Sequence, residues 1–173
     1  MKKFLTAGAA LVGFGLSNLA LAYDGTLTFN GQVSSKTCTI ANLNQEVQME
    51  PVSQSSLAEG EVAGHKAFFI RLTGCSTDTK VKAYFELGQN INNQTGTLRN
   101  ESTDADASNV SIQLFNKDQQ PINLATGANN NQEIVGASGI ATMTFFAAYA
   151  APVGEPVKPG AVHAKVNYTM SYE

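Results

Sequence analysis

The two cysteines, Cys38 and Cys75, are the residues whose chemistry is easiest to assign. The chain has no others, and in an exported protein such a pair oxidises. Closing a loop of 37 residues would stabilise the fold by about 4 kcal/mol on the chain-entropy account. A redox pair would favour C-x-x-C spacing, and a metal site would need histidines nearby; neither accompanies these cysteines. We therefore predict a structural disulfide.

Catalytic candidates are few. His163 falls on the polar row of a predicted strand and His65 in a loop, so both are expected to be solvated. Ser138 misses the G-x-S-x-G spacing of a nucleophile turn, and no Asp and His are placed by the sequence to activate it. Asp104 and Asp106 lack the remaining ligands of a calcium loop. The sequence predicts no enzyme, metal site or cofactor.

The first 22 residues have the pattern of a cleaved secretory signal. Lys2 and Lys3 precede an apolar run over 4–16, and a small-x-small cleavage site ends at Ala22. The apolar run is short for a membrane span, and the residue after the cut is Tyr23, not a lipid-modified cysteine. Removing residues 1–22 from the 173-residue chain leaves 151, enough for one domain with a real core.

The charge pattern argues against nucleic acid as a partner. The formal net charge is −3, from 11 basic and 14 acidic residues, and no basic run occurs. A phosphate-binding surface needs the opposite sign and clustered cations.

Both ends of the mature chain alternate with a period of two. From Tyr23 to Val33 the odd positions are apolar or glycine, and from 162 to 172 the even positions are apolar. Because successive strand side chains point to opposite faces, each stretch is predicted to be a strand with one apolar row and one polar row.

Between the ends, short apolar or alternating runs are separated by turn-forming clusters, without a helical period. This pattern predicts an all-β immunoglobulin-like sandwich of about eight strands. At most one helical turn is predicted, at 55–59, together with a loop at 88–107 and a turn at 127–132. The predicted strands are 32–40, 46–49, 67–72, 81–87, 110–115, 122–124, 140–149 and 161–172, with a short one near 97–99.

The front strand has no evident partner inside its own domain. Residues 24–33 run directly into the strand that contains Cys38, and a strand does not easily pair with its own continuation. An unpaired strand leaves backbone donors and acceptors unsatisfied. We therefore expect this segment to leave the domain and complete a sheet elsewhere.

Taken together, these residues resemble the chaperone–usher pilins, of type 1 and P-like fimbriae. Phe29-Asn30-Gly31-Gln32-Val33 followed by Cys38 is similar to the start of that family. Gly160, the fourteenth residue from the end, alternating apolar residues and the penultimate Tyr172 resemble its C-terminal motif. The stretch 143–149 and the loop 152–160 are similar to the strand and loop that precede this motif.

The resemblance implies an immunoglobulin-like sandwich that lacks its final strand. Residues 23–34 would be an N-terminal donor-strand extension and 35–173 the pilin domain. The donor residues would be Leu27, Phe29, Gly31 and Val33. The groove-lining and chaperone-binding strand would contain Gly160, Val162, Ala164, Val166, Tyr168, Met170, Tyr172 and the terminal Glu173.

The implied partners are identical or related pilin subunits, a periplasmic pilus chaperone and an outer-membrane usher. The chain would pass through the periplasm to a fimbrium on the bacterial surface, where its structural role would serve adhesion.

Two further interpretations stay open at this point. The chain could be a minor adaptor, a tip subunit or a single-domain adhesin of the same pilus class; 151 residues leave no room for a separate receptor domain. A monomeric periplasmic binding protein would need the front strand to pair within its own fold, and Tyr172 would then be an ordinary core aromatic.

Overall fold

The computed structural model describes residues 27–31 and 38–173. Residues 27–31 belong to a unit separate from the domain that runs from Val33 to Glu173. The described residues contain nine strands and one short 3-10 turn, Gln54–Ser56, and no helix among them could cross a membrane. The strands are β1 (Thr39–Ile40), β2 (Val62–Thr73), β3 (Lys80–Phe85), β4 (Ile91–Asn92), β5 (Thr97–Leu98), β6 (Ser111–Phe115), β7 (Glu133–Ile134), β8 (Ala141–Ala150) and β9 (Tyr168–Tyr172).

The strands form two antiparallel sheets. The larger has the order β1-β2-β8-β6-β5-β4, and the smaller has the order β7-β3-β9. The long strands β2 and β8 lie side by side in the larger sheet, with Ile70 opposite Met143. Each sheet has two edges, and the last strand of the chain, β9, is an edge of the smaller one.

The core lies between the two sheets and follows the period-two patterns of the sequence. Leu72 of β2 and Phe145 of β8 are fully buried, as is Val81 of β3 in the other sheet. The Phe145 ring lies 5.4 Å, edge-on, from the ring of Phe85 in β3. Each such side chain stabilises the fold by roughly 1.5–3 kcal/mol, so this layer holds the sheets together.

The main strands are confirmed, with shifted ends. The runs 67–72, 81–87, 110–115 and 140–149 all lie within or overlap strands of the structure. The short strand near 97–99 is β5, which pairs with β4 in a segment predicted to be loop. The all-β immunoglobulin-like sandwich is likewise confirmed.

Three of the predicted strands are wrong in whole or in part. Residues 46–49 form no strand, and 122–124 contribute only an isolated bridge, Asn123 with Ala128. At the C-terminus only Tyr168–Tyr172 forms a strand, because the partner strand β3 ends at Phe85 and leaves residues 161–167 without a ladder. Period two fixes which side chains share a face, but a strand also needs a neighbouring backbone.

Candidate functional site

The C-terminal segment 161–173 carries a row of apolar side chains along the core. Each member is only partly buried and packs against the main hydrophobic cluster. Residues fully covered by their own domain would be buried throughout, so this apolar row is left half-covered. The row consists of Val162, Ala164, Val166, Tyr168, Met170 and Tyr172.

The odd-numbered residues of the segment direct their backbone groups inward, to β3 and its flanking loops. Lys80 and Glu173 exchange two backbone hydrogen bonds, of 2.8 and 2.9 Å, and the Glu86 amide donates to the carbonyl of Asn167 at 2.9 Å. In an antiparallel ladder such pairs alternate with residues whose N–H and C=O groups point to the opposite edge. The even-numbered residues, which carry the apolar row, therefore present their backbone groups outward.

This outward edge is open within the described part of the chain. There, the backbone groups of residues 162, 164, 166, 168, 170 and 172 have no hydrogen-bond partner. Unpaired strand edges are the usual template for the addition of another strand. A half-covered apolar row beside an open edge is a site shaped for an extended peptide, and we call it the acceptor edge.

Two tyrosines of the row reach across to the chain on either side of β1, in the other sheet. The Tyr168 hydroxyl donates to the carbonyl of Asn42 at 3.5 Å, and the Tyr172 hydroxyl lies near the backbone of Cys38. Burial raises the pKa of both phenols above the usual 10.0; Tyr172 adds to the effect at Tyr168, while the Cys38 bond opposes it at Tyr172. These side chains bridge the two sheets at this end of the row.

The predicted disulfide is present and lies beside this bridge. Cys38 and Cys75 are joined across a separation of 37 residues. Cys75 is buried in the main core and its amide donates to the carbonyl of Gly139 at 3.1 Å. The bond therefore ties the chain just before β1 to the core, next to the residue that Tyr172 contacts.

A cavity of about 270 Å³ opens at the other end of the row. Met49, Tyr149 and Val162 are among its lining residues, with Val110 and Gly160. A depression of about 440 Å³ beside it is lined by residues of the 54–59 and 154–157 loops and contacts none of the row. The first cavity is thus the one continuous with the acceptor edge.

Gly160 starts the segment at a place where no other residue fits. Its φ is +153°, and a Cβ there would overlap the carbonyl oxygen of Asp106. A backbone that approaches this closely requires glycine.

Sequence reasoning missed two residues that hold the first half of the segment. Asn100 donates to the carbonyl of Ala161 and accepts from the amide of His163, both at 2.8 Å, and the Asn90 side chain donates to the carbonyl of Lys165. Both asparagines lie in a stretch predicted to be a polar loop. Asparagine is common in loops, so composition gave no signal that these two would serve as ladder partners.

The predicted donor residues are described only in part. Leu27 and Phe29 are 84% and 90% exposed, and a Cβ on Gly31 would meet open space. Val33 and the predicted cleavage site at Ala22 and Tyr23 lie outside the described residues.

The residues first considered for catalysis are not brought together. Among the described residues there is no cluster of three His, Cys, Asp or Glu side chains able to hold a metal ion. The loop predicted for His65 is wrong, because His65 lies in β2. His65, Ser138, Asp104 and Asp106 are all exposed, and His163 contributes backbone groups to the inner edge.

Comparison with known proteins agrees with this architecture. Residues 27–173 match the family model described as fimbrial protein. The major fimbrial subunit SMF-1 of Stenotrophomonas maltophilia is 39% identical, over 88% of this chain and 95% of the relative. The F17 fimbrial protein of Escherichia coli is 38% identical, over 91% and 92%. The crystal structure of the P pilus rod subunit PapA aligns with a TM-score of 0.60 at 20% identity, covering 79% of this chain and 99% of that one.

The chain therefore belongs to the fimbrial protein family, and it is a structural pilin subunit of a cell-surface fimbrium. The predicted resemblance to pilins is confirmed, and the fold is that of a pilus rod subunit.

Proposed function

We propose that this subunit polymerises by donor-strand exchange in the chaperone–usher manner. Residues 23–34 of one copy would occupy the acceptor edge of the next, once the signal over 1–22 has been removed. The observation that carries the proposal is the open backbone edge beside a half-buried apolar row on residues 162–172.

The acceptor edge would be complemented by a strand that has an apolar row of its own. An added strand would pair with the outward backbone groups and cover the exposed side of the row. The cavity next to Val162 leaves room for one further side chain at that end.

The front segment offers a matching strand. Leu27, Phe29 and Val33 alternate with polar residues, and Gly31 permits a close backbone approach because it lacks a side chain. Leu27 and Phe29 expose nearly their whole side chains, which suits a segment that acts in another copy.

The free energy of the exchange is adequate for a lasting joint. Burying Leu27, Phe29 and Val33 would contribute on the order of 5–8 kcal/mol, before backbone hydrogen bonds are counted. Donor segment and acceptor edge are different patches of the molecule, so the contact is heterologous and propagates as a fibre.

Before assembly, an acceptor edge of this kind needs a temporary occupant. We assign this role to a periplasmic pilus chaperone whose basic residues would bind the terminal carboxylate of Glu173, and delivery to the surface to an outer-membrane usher. Glu173 is exposed and its backbone is fixed by Lys80, so the carboxylate lies at a defined position at the end of β9.

The donor assignment is tested by Phe29→Asp, with Thr28→Asp as the matched control on the polar row of the same segment. Losing the burial of Phe29 should weaken incorporation by about 10- to 100-fold, since each 1.4 kcal/mol is a factor of ten. The measurement is the amount of heat-resistant multimer on the cell surface, alongside recovery of the subunit with its chaperone.

The expected result is loss of multimers with Phe29→Asp, normal multimers with Thr28→Asp, and equal chaperone recovery for both. Normal multimers from the Phe29 variant would refute the donor assignment. A wild-type chain that runs only as a monomer would refute the exchange itself.

A further inference from the structure

The two halves of the acceptor edge are held in different ways. Residues 168–173 are held by the backbone ladder with β3. Residues 161–167 have no strand beside them, because β3 ends at Phe85. Something else must keep the inward backbone groups of 161, 163 and 165 paired.

Asn100 supplies the side-chain bonds to Ala161 and His163. Its Nδ2 donates to the carbonyls of Ser108 and Ala161, both at 2.8 Å. Its Oδ1 accepts from the amides of Ser102, at 3.0 Å, and His163, at 2.8 Å. Two donated and two accepted bonds are the full capacity of an asparagine side chain.

Backbone bonds on either side complete the arrangement. The Glu101 amide donates to the carbonyl of His163 at 2.6 Å, and the Ser108 amide donates to the carbonyl of Ala161 at 3.0 Å. Asn90 extends the pattern by one residue pair, through its side-chain bond to the carbonyl of Lys165. The side chain of Asn100 thus stands where a strand partner would be.

Fixing the inner edge also fixes the outer one. Since N–H and C=O groups alternate between edges, a segment whose odd residues are held inward must present 162, 164 and 166 outward. If the inner bonds were lost, the segment could rotate about its axis, and its apolar row and its open backbone groups would lose their common alignment.

We propose that Asn100 is a positioning residue for strand capture: it pre-orients the first half of the acceptor edge, residues 162–166, to receive the incoming strand. This inference rests on the proposed exchange mechanism. Pre-orientation reduces the ordering that binding would otherwise require, so Asn100 is expected to act on the joint without touching the donor.

The test compares Asn100→Ala with Asn109→Ala in fibres formed by the full exported chain. Asn109 is a matched control because it also ties the same loop, donating to the carbonyl of Pro156 at 3.0 Å and accepting from the amide of Lys158 at 2.8 Å, but off the acceptor edge. The readouts are amide hydrogen exchange along 162–172 and the rate at which subunits leave the fibre in hot detergent.

With Asn100→Ala, exchange at the amides of 162, 164 and 166 should rise by about 10-fold while that at 168, 170 and 172 stays unchanged, and subunit loss should rise by a similar factor. Asn109→Ala should leave both readouts at wild-type values even if it lowers the melting temperature. Unchanged exchange at 162–166 in Asn100→Ala, or an equal rise in Asn109→Ala, would overturn the proposal.

A second variant keeps the proposal testable if Asn100→Ala does not fold. Asn100→Asp keeps both accepted bonds and loses both donated ones, so exchange should rise most at Val162, next to the lost bond to Ala161; no rise there would also overturn the proposal. If wild-type chains formed no multimers, the exchange mechanism itself would fail, whereas normal wild-type fibres with an insensitive Asn100 would remove only this inference.

Discussion

The two halves of the C-terminal segment share one pattern, the alternation of apolar and polar residues, but have different structures. Residues 168–172 are a strand in a backbone ladder with β3, whereas 161–167 are an extended segment paired through asparagine side chains and loop amides. Both halves nevertheless direct their even-numbered side chains to the core. The orientation of an edge can therefore be set by side chains where no neighbouring strand is available.

The difference also predicts where each half is vulnerable. The ladder half, residues 168–172, depends on its pairing with β3 and on the contacts of Tyr168 and Tyr172 with the chain around Cys38. The other half depends on a close backbone approach at Gly160 and on amide groups of Asn90 and Asn100.

The largest effect is expected from removing the disulfide, which lies against the ladder half. Replacing Cys38 and Cys75 together by serine should lower the free energy of unfolding by about 4 kcal/mol, because the unfolded chain regains loop freedom. Thermal melting and periplasmic yield measure it, and reduction of the wild type should reproduce the loss. Unchanged melting would mean that the bond does not stabilise the fold.

A charge placed in the ladder half should have the next largest effect. Met170 lies opposite the buried Ala83, so Met170→Asp would bring a carboxylate to an apolar place and should cost about 3 kcal/mol in urea denaturation. Val166→Asp, in the half without a ladder, should cost less because that segment can shift to solvate the charge. Equal costs would mean that the two halves are equally rigid.

Gly160→Ala tests the half without a ladder, residues 161–167. It should lower the free energy of unfolding by about 2 kcal/mol, because the added Cβ would overlap the carbonyl of Asp106 and the φ is unfavourable for alanine. Gly127→Ala is the control, since its φ is +72° but a Cβ there would meet open space. Urea denaturation of both variants separates the overlap from the backbone conformation. A smaller loss of unfolding free energy for Gly160→Ala than for Gly127→Ala would show that the 106–108 loop can move to accommodate the added Cβ.

The smallest effect is expected from alkaline pH, and two tyrosines of the ladder half contribute to it. The raised pKa values of Tyr168 and Tyr172 mean that the fold favours the neutral phenols. Their contribution to stability is complete below the unfolded pKa of 10.0 and is lost as pH rises above it towards the higher folded values.

Denaturation at roughly pH 9 and pH 11 measures this loss. Replacing Tyr168 and Tyr172 together by phenylalanine should reduce the decline in stability, and part of it should remain because burial also raises the pKa of Tyr149. An equal loss of stability in the double variant would mean that Tyr168 and Tyr172 do not cause the alkaline decline.

Much of the architecture was predictable because it depends on local patterns. Alternation in 67–72 and 140–149 predicted the strands β2 and β8, whose apolar residues meet in the core. With only two cysteines, the pairing of Cys38 with Cys75 had a single solution. The apolar row from Val162 to Tyr172 was also predicted residue by residue, since a period of two determines which side chains share a face.

Other features depend on neighbours that are distant in the sequence. The strand assignment of 161–167 failed because no local pattern reports that β3 ends at Phe85. The short strands β4 and β7 form in polar segments because the fold places backbones next to them. The pairing of Asn100 with Ala161 and His163 spans about 60 residues, and an isolated asparagine carries no sign of it.

By itself, therefore, the sequence determined the faces: which side chains lie together and which cysteines can join. Only the tertiary structure decided the edges, that is, which backbone groups along 161–173 are paired inward and which stay open. The physical reason is that side-chain direction follows from the geometry of one strand, whereas backbone pairing depends on whatever chain lies alongside it.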